Sequence, residues 1–208
     1  AGPTGVIAAL GQTWGIAEVS HKPFPTGRAA QGGIVLMQKL RDQGVRAEEV
    51  ERLTLTAPPL IHRLVGRPIK SDMAVNYVRL CFQYSGAVAL MTGQVGLDDF
   101  SAAKLSDPAT LVLGQKIEVI DDGSPDPAAF TPQIAVAHLK DGRAVEARIE
   151  TLYGAPADPM SEQAHLEKFH RCVAFGFGED RPDLAGKLID LTNNLETVSD
   201  VSVLSRLA

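Results

Sequence analysis

Cysteine is scarce in this chain: two among 208 residues, Cys81 and Cys172, far apart and each in apolar surroundings. That count is too low for a disulfide framework, and the surroundings favour two buried thiols in a reducing compartment over a single bridge. No Cys-x-x-Cys or His-x-x-x-His spacing is present, so no metal site is expected. Long apolar runs are also missing. No stretch approaches the roughly 18 residues that a transmembrane helix needs. A basic excess is lacking too: the formal net charge is −5, which argues against a general nucleic-acid or polyanion binder. It leaves open a small anion held by a local cluster of Lys and Arg. The N-terminus shows neither the basic start nor the apolar core of a signal peptide. Its opening, Ala1-Gly2-Pro3-Thr4, has no initiator Met, as in a processed product or a fragment.

What is present is the balance of a folded domain, with 45% apolar and 22% charged residues. Val50 to Ala57 alternates with a period of two, Leu53, Leu55 and Ala57 on one side and Arg52, Thr54 and Thr56 on the other. Further strands are expected at Lys116–Ile120, Gln133–Leu139 and Ala144–Glu150. The last two are joined through Lys140-Asp141-Gly142-Arg143, a hairpin signal because both central residues tolerate positive φ. Residues 121–132, rich in Asp, Pro and Gly, read as a loop.

Helical periodicity appears at Thr4–Trp14, with Val6, Ile7, Leu10 and Trp14 on one face, and again from Arg28 to Gln43, stopped by Gly44. Between them Ala17–Phe24 reads as extended, held so by Pro23 and Pro25. A long helix capped by Ser71 or Asp72 is expected to run to Thr92, apolar nearly all round from Leu80 to Met91. Ser161 should cap a helix carrying Leu166, Phe169 and Val173, and another should begin near Pro182 with Leu184, Leu188 and Leu191. Strands and helices that do not alternate strictly make the fold class α+β, with a small, mostly antiparallel sheet.

Three features could carry chemistry. His21-Lys22-Pro-Phe-Pro-Thr-Gly-Arg28 sets a Lys and an Arg beside a rigid turn that opens a helix, where backbone N–H groups favour anions. The ordinary alternative is a solvated Lys and Arg flanking a structural turn. Tyr84, a phenol on an apolar helix, needs a hydrogen-bond partner, which is usually a backbone carbonyl. His62, near Arg63 and Arg67, could bind a carboxylate. It and His138, His165 and His170 show no shared face and read as ordinary histidines. No Gly-x-Gly-x-x-Gly fingerprint, Walker loop or Gly-x-Ser-x-Gly elbow occurs.

Taken in order, Lys22-Pro-Phe-Pro, Phe82-Gln-Tyr84, Lys116-Ile-Glu-Val, the Asp-Gly-Arg hairpin, Tyr153-Gly-Ala-Pro-x-x-Pro-Met-Ser161, Lys168-Phe169 and Asn194-Leu-Glu-x-x-x-Asp200 resemble the 2-methylcitrate dehydratase (MmgE/PrpD) family. No one motif is specific; their succession is. The resemblance implies an all-helical domain joined to a smaller α+β lid, with the active site between them. Residues 1–15 would then be a helix and linker from the helical domain, 16–158 the lid, and 159–208 a C-terminal return to the helical domain. Members are about twice as long as this chain, so it would carry one wall of the site and be inactive alone.

The implied activity is that of a cofactor-free, metal-free lyase or isomerase of small polycarboxylic acids, foremost a cytoplasmic hydro-lyase of propionate catabolism resembling 2-methylcitrate dehydratase. Lys22 and Tyr84 match lid residues implicated in the family's catalysis and would face one cleft. Arg28 and Gln31 are assigned to substrate binding. Members close to cis-aconitate decarboxylase carry histidines where this chain has Gly27 and Gln31, a departure that disfavours that reaction. Making a carbanion beside a carboxylate needs a base, an acid and cations for the developing charge. Lys22 and Arg28 suit the cation role, Lys22 also a proton shuttle, and Tyr84 proton donation. The expected partners are the substrate and a second copy, or a missing helical domain or companion chain, with no nucleic acid and no membrane. The rival expectation is a non-catalytic remnant or interaction module completed by another chain.

Overall fold

A computed structural model describes residues 3–8, 10–12, 14–178, 181 and 183–207. The chain divides into two compact units, Ala1–Met160 and Ser161–Ala208.

The first unit is built on a four-stranded sheet ordered β2-β1-β3-β4. Its strands are β1 (Val50–Ala57), β2 (Ile117–Asp121), β3 (Gln133–Leu139) and β4 (Ala144–Ile149). The β1–β3 and β3–β4 pairings are antiparallel and β1–β2 is parallel, so the sheet is mixed and mostly antiparallel. Leu53 stands between Ile117 and Ala137, and Leu55 between Val119 and Ala135. This register gathers the period-two apolar residues on one face, where all six are buried. Thr54, expected on an outer face, is buried as well, because β1 lies inside the sheet. The hairpin between β3 and β4 forms at Asp141-Gly142, but only Gly142 has positive φ (87°). Asp141 instead accepts the Arg143 N–H at 3.0 Å, an Asx-type closure.

Helices are numbered in chain order as α1 (Pro3–Ala8), α2 (Arg28–Asp42), α3 (Pro59–Val65), α4 (Val75–Val78), α5 (Phe82–Thr92), α6 (Ala102–Leu105) and α7 (Pro108–Gly114). Helices α2 and α5 pack on each other and on the sheet, burying Ile34, Leu36, Met37, Leu40, Phe82 and Leu90 completely. Each such side chain stabilises the fold by about 1.5–3 kcal/mol. The two helices approach closely where they carry no side chain: a Cβ on Gly33 would stand 2.3 Å from the Phe82 ring.

Two helical expectations fail here. The N-terminal helix stops at Ala8 instead of Trp14, with Gly11 at φ 74° and a 3₁₀ turn at Gly15–Glu18 in part of the stretch expected to be extended. Ile7, Leu10 and Trp14 are consequently exposed. The helix expected from residue 71 to 92 is broken into α4 and α5. Cys81 between them is extended (φ −104°, ψ 100°), and the Gln83 side chain bonds elsewhere, accepting from Ile69 N (2.5 Å) and donating to Ile117 O (2.8 Å). At the break the Arg79 carbonyl accepts from Gly27 N at 3.0 Å, a tertiary bond outside the helical pattern.

The second unit holds α8 (Glu162–Phe177), α9 (Leu184–Asn193) and α10 (Val203–Leu207). Ser161 caps α8, accepting from Ala164 N at 3.2 Å. Val173, Leu184 and Ala185 form its small core, while Leu166 and Phe169 stay partly exposed. Pro182, where the second helix was expected to begin, lies outside the described residues. Both cysteines are free thiols; Cys81 is buried, but Cys172 is exposed, one position off the buried face that Val173 marks on α8. Among the described residues no helix is long and apolar enough to cross a membrane.

Candidate functional site

The Lys22 turn is held from three directions. Pro23 and Pro25 restrict the backbone, and Phe24 is buried as an anchor. From α2, the Gln31 amide donates to Thr26 Oγ1 (2.6 Å) and Phe24 O (3.1 Å), and its oxygen accepts from Phe24 N (3.2 Å). From the Tyr153-Gly-Ala-Pro segment, Gly154 O accepts the His21 N–H at 2.8 Å. A Cβ on Gly154 would meet His21 O at 2.1 Å, and its φ is 86°. Glycine is required there on both counts. What the turn leaves in solvent is the Lys22 ammonium, whose one described hydrogen bond is a long one, 3.4 Å, to Thr26 O.

Opposite the turn stands the end of α4. Gly27 N–H donates to Arg79 O at 3.0 Å, joining the start of α2 to the break before α5. Arg79 lays its guanidinium over the Phe100 ring, 5.6 Å from the centroid. Between these walls is an open cavity of about 490 Å³, lined by Lys22, Pro25, Thr26, Gly27, Asn76, Arg79, Leu80 and Leu97. Its lining has two cations and no carboxylate side chain. The N-terminal end of α2 adds the positive end of a helix dipole at Gly27. A concave, net-cationic surface of this kind suits a small anion with more than one charge.

Of the four residues assigned to the site from sequence, only Lys22 lines this cavity. Arg28 is exposed and stacks on Phe130, 5.2 Å from the ring centroid. Gln31 is 3% exposed and its amide is committed to the turn, so it shapes the site and does not line it. Tyr84 does not share the cleft with Lys22. It is buried, its hydroxyl donates to Asp99 O, and its ring lies 6.1 Å from that of Phe100. Burial foremost, then the Asp99 and Asp107 carboxylates, pushes its phenol well above the ordinary tyrosine range. That is the backbone-carbonyl role usual for a buried tyrosine. None of the histidines considered from sequence lines the cavity.

Sequence reasoning missed Asn76 and Arg79. Their spacing of three at the head of the apolar run is a signal, but inside a continuous helix it reads as a solvated face.

The model of the MmgE/PrpD C-terminal domain matches residues 24–192. The chain belongs to the MmgE/PrpD family. Arg79, Tyr84 and Gly154 fall within the matched segment, and Lys22 stands two residues before it. The chain is 28% identical over 163 residues to cis-aconitate decarboxylase of Mus musculus, covering 77% of this chain and 32% of that protein. With the human cis-aconitate decarboxylase it shares 28% over 160 residues, 76% of this chain and 32% of the relative. With the mitochondrial 2-methylcitrate dehydratase of Yarrowia lipolytica it shares 25% over 184 residues, 82% of this chain and 34% of the relative. It thus spans about a third of the length of these curated relatives.

Proposed function

We propose that this chain supplies the carboxylate-holding wall of an MmgE/PrpD lyase, most nearly a hydro-lyase acting on 2-methylcitrate or a similar tricarboxylic acid. The observation that carries the reading is the pairing of Lys22 and Arg79 on one open cavity without a carboxylate, in a chain whose net charge is −5. Arg79 can grip one carboxylate with a planar fork, and Lys22 can meet a second as a point charge. The same cations stabilise the negative charge that builds when a proton leaves the carbon beside a carboxylate. An ammonium is the kind of group that can pass on a proton in such a step, and a guanidinium is not. In this reading residues 16–158 act as a lid, and 159–208 belong with a helical domain that provides the opposite wall, from the same polypeptide, a second copy or a companion chain.

Dehydration is favoured over decarboxylation of cis-aconitate by what stands at position 27. The decarboxylase-like histidine has no counterpart there, and the space beside Gly27 is filled by Leu80, 2.3 Å from where a Cβ would lie. The test is turnover by a form of the protein as long as its relatives, offered 2-methylcitrate, citrate, cis-aconitate and iminodisuccinate. Loss of water from 2-methylcitrate is expected, with Lys22→Ala lowering kcat/KM on the order of 10²-fold or more. Preferential decarboxylation of cis-aconitate would overturn the reaction assignment. Turnover indifferent to Lys22→Ala would overturn the site.

A further inference from the structure

The cavity's arginine is tied to the core by a short chain of contacts. Arg79 lies over the face of Phe100, and Phe100 is 5% exposed. Against Phe100, the Tyr84 ring packs at 6.1 Å with a tilt of 49°. The Tyr84 hydroxyl donates to the carbonyl of Asp99, the residue joined to Phe100. Asp99 also closes its own loop, its carboxylate accepting from Gly96 N at 2.7 Å. That loop delivers Leu97 to the cavity wall. Tyr84 therefore fixes residues 99 and 100 by a hydrogen bond to one and a ring contact to the other.

We propose that Tyr84 is a positioning residue: through the Asp99 carbonyl and the Phe100 ring it holds Arg79 as the cavity's second carboxylate anchor. The proposal deepens the polycarboxylate reading and rests on it. A free arginine side chain samples many rotamers and loses them when a ligand binds. A guanidinium already laid on an aromatic face has lost part of that freedom and keeps its N–H edge for a carboxylate. For Tyr84 to give a proton to substrate, its hydroxyl would first have to leave the Asp99 carbonyl. An anchor held in this way sets which acids bind: those with two carboxylates placed to meet Lys22 and Arg79 together.

The test uses citrate as probe, calorimetry on the 208-residue chain, and NMR of the Arg79 Nε–Hε group. Tyr84→Phe removes the hydroxyl and keeps the ring; Phe100→Leu removes the platform and keeps the hydroxyl bond. Backbone amide spectra establish that both variants fold. Each should weaken citrate binding on the order of threefold to tenfold, somewhat less than a full charge-assisted contact. Each should also release the Arg79 signal from its ring-shifted, ordered state. The double variant should be no weaker than Phe100→Leu alone, since both act on one arm. In turnover by a form of the protein as long as its relatives, Tyr84→Phe should raise KM and leave kcat within about threefold, the pattern of lost binding.

A fall in kcat of about 10²-fold or more at unchanged KM would make Tyr84 an acid and overturn the proposal. Unchanged citrate affinity and an unchanged Arg79 signal in Tyr84→Phe would overturn it as well. If the wild-type chain does not bind citrate, the polycarboxylate reading falls, and the Arg79 signal alone decides the positioning role.

Discussion

Gly154→Ala tests how the Lys22 turn is built. Two costs add at this position. An alanine at φ 86° occupies the left-handed region, at about 1–2 kcal/mol. Its Cβ would also stand 2.1 Å from His21 O, a backbone atom that must move by about an ångström to restore contact distance. Forcing such a shift typically costs about 1–3 kcal/mol. It also endangers the 2.8 Å hydrogen bond from His21 N to Gly154 O, worth about 0.5–1.5 kcal/mol. The conformational and contact costs alone give about 2–5 kcal/mol, a large part of the 5–15 kcal/mol typical of a domain. Gly142→Ala is the internal control. Its φ is 87°, but nothing stands within 4 Å of a Cβ there, so only the conformational cost of about 1–2 kcal/mol applies. Urea unfolding followed by circular dichroism should therefore rank Gly154→Ala below Gly142→Ala by at least about 1 kcal/mol. Citrate affinity should fall in the first and not in the second. Equal midpoints would refute the close approach as the reason for the glycine.

Lys22→Ala should weaken citrate binding on the order of tenfold, the worth of one charge-assisted contact, while leaving the urea midpoint within about 0.5 kcal/mol of stability, because the ammonium is exposed. A comparable loss of stability would mean that Lys22 serves the turn and not a ligand. The Asp107 carboxyl is held below the ordinary carboxylate range, first by the Thr110 hydroxyl (2.7 Å) and then by the Thr110 N–H (2.8 Å). A depressed folded value stabilises the fold above the unfolded carboxylate value of about 3.9 and is lost as pH falls through the folded one. Acid titration of Asp107→Asn should show a shallower decline below about pH 4 than wild type, and identical slopes would dismiss the cap as a source of acid sensitivity. The 208-residue chain itself should bind citrate and yet fail to dehydrate 2-methylcitrate; comparable turnover by it would show that this wall suffices.

Strands and turns were the legible part of this sequence. β1 and β3 run over the same residues as their period-two patterns; in β3 the alternation matches one buried face, while in β1 Thr54 is buried as well. α2 starts at Arg28 and ends beside Gly44, whose φ of 94° stops it. The broken helix and the missed Arg79 share a cause, since both depend on contacts made far along the chain. Nothing local breaks the helix between residues 71 and 92. At the break Cys81 is extended and Arg79 O takes the Gly27 N–H, a bond outside the helix. That break is also what brings Arg79 to the cavity, so missing the break and missing the residue are one error.

A motif can be legible while the roles of its letters are not. In Lys22-Pro-Phe-Pro-Thr-Gly the prolines, Phe24 and Thr26 hold the backbone, Gln31 ties it from α2, and Gly154 admits His21 from the far side. All of these hold the turn from which the Lys22 ammonium projects into solvent. Phe82-Gln-Tyr84 behaves alike: Phe82 fills the space above Gly33 and Gly86, Gln83 bonds to Ile69 N and Ile117 O, and Tyr84 supports the platform beneath Arg79. A constraint on a side chain that positions a charge looks the same in sequence as a constraint on one that touches substrate. Only exposure and the direction of each hydrogen bond separate them, and here they assign the cavity to Lys22 and Arg79 and the scaffold to Gln31 and Tyr84.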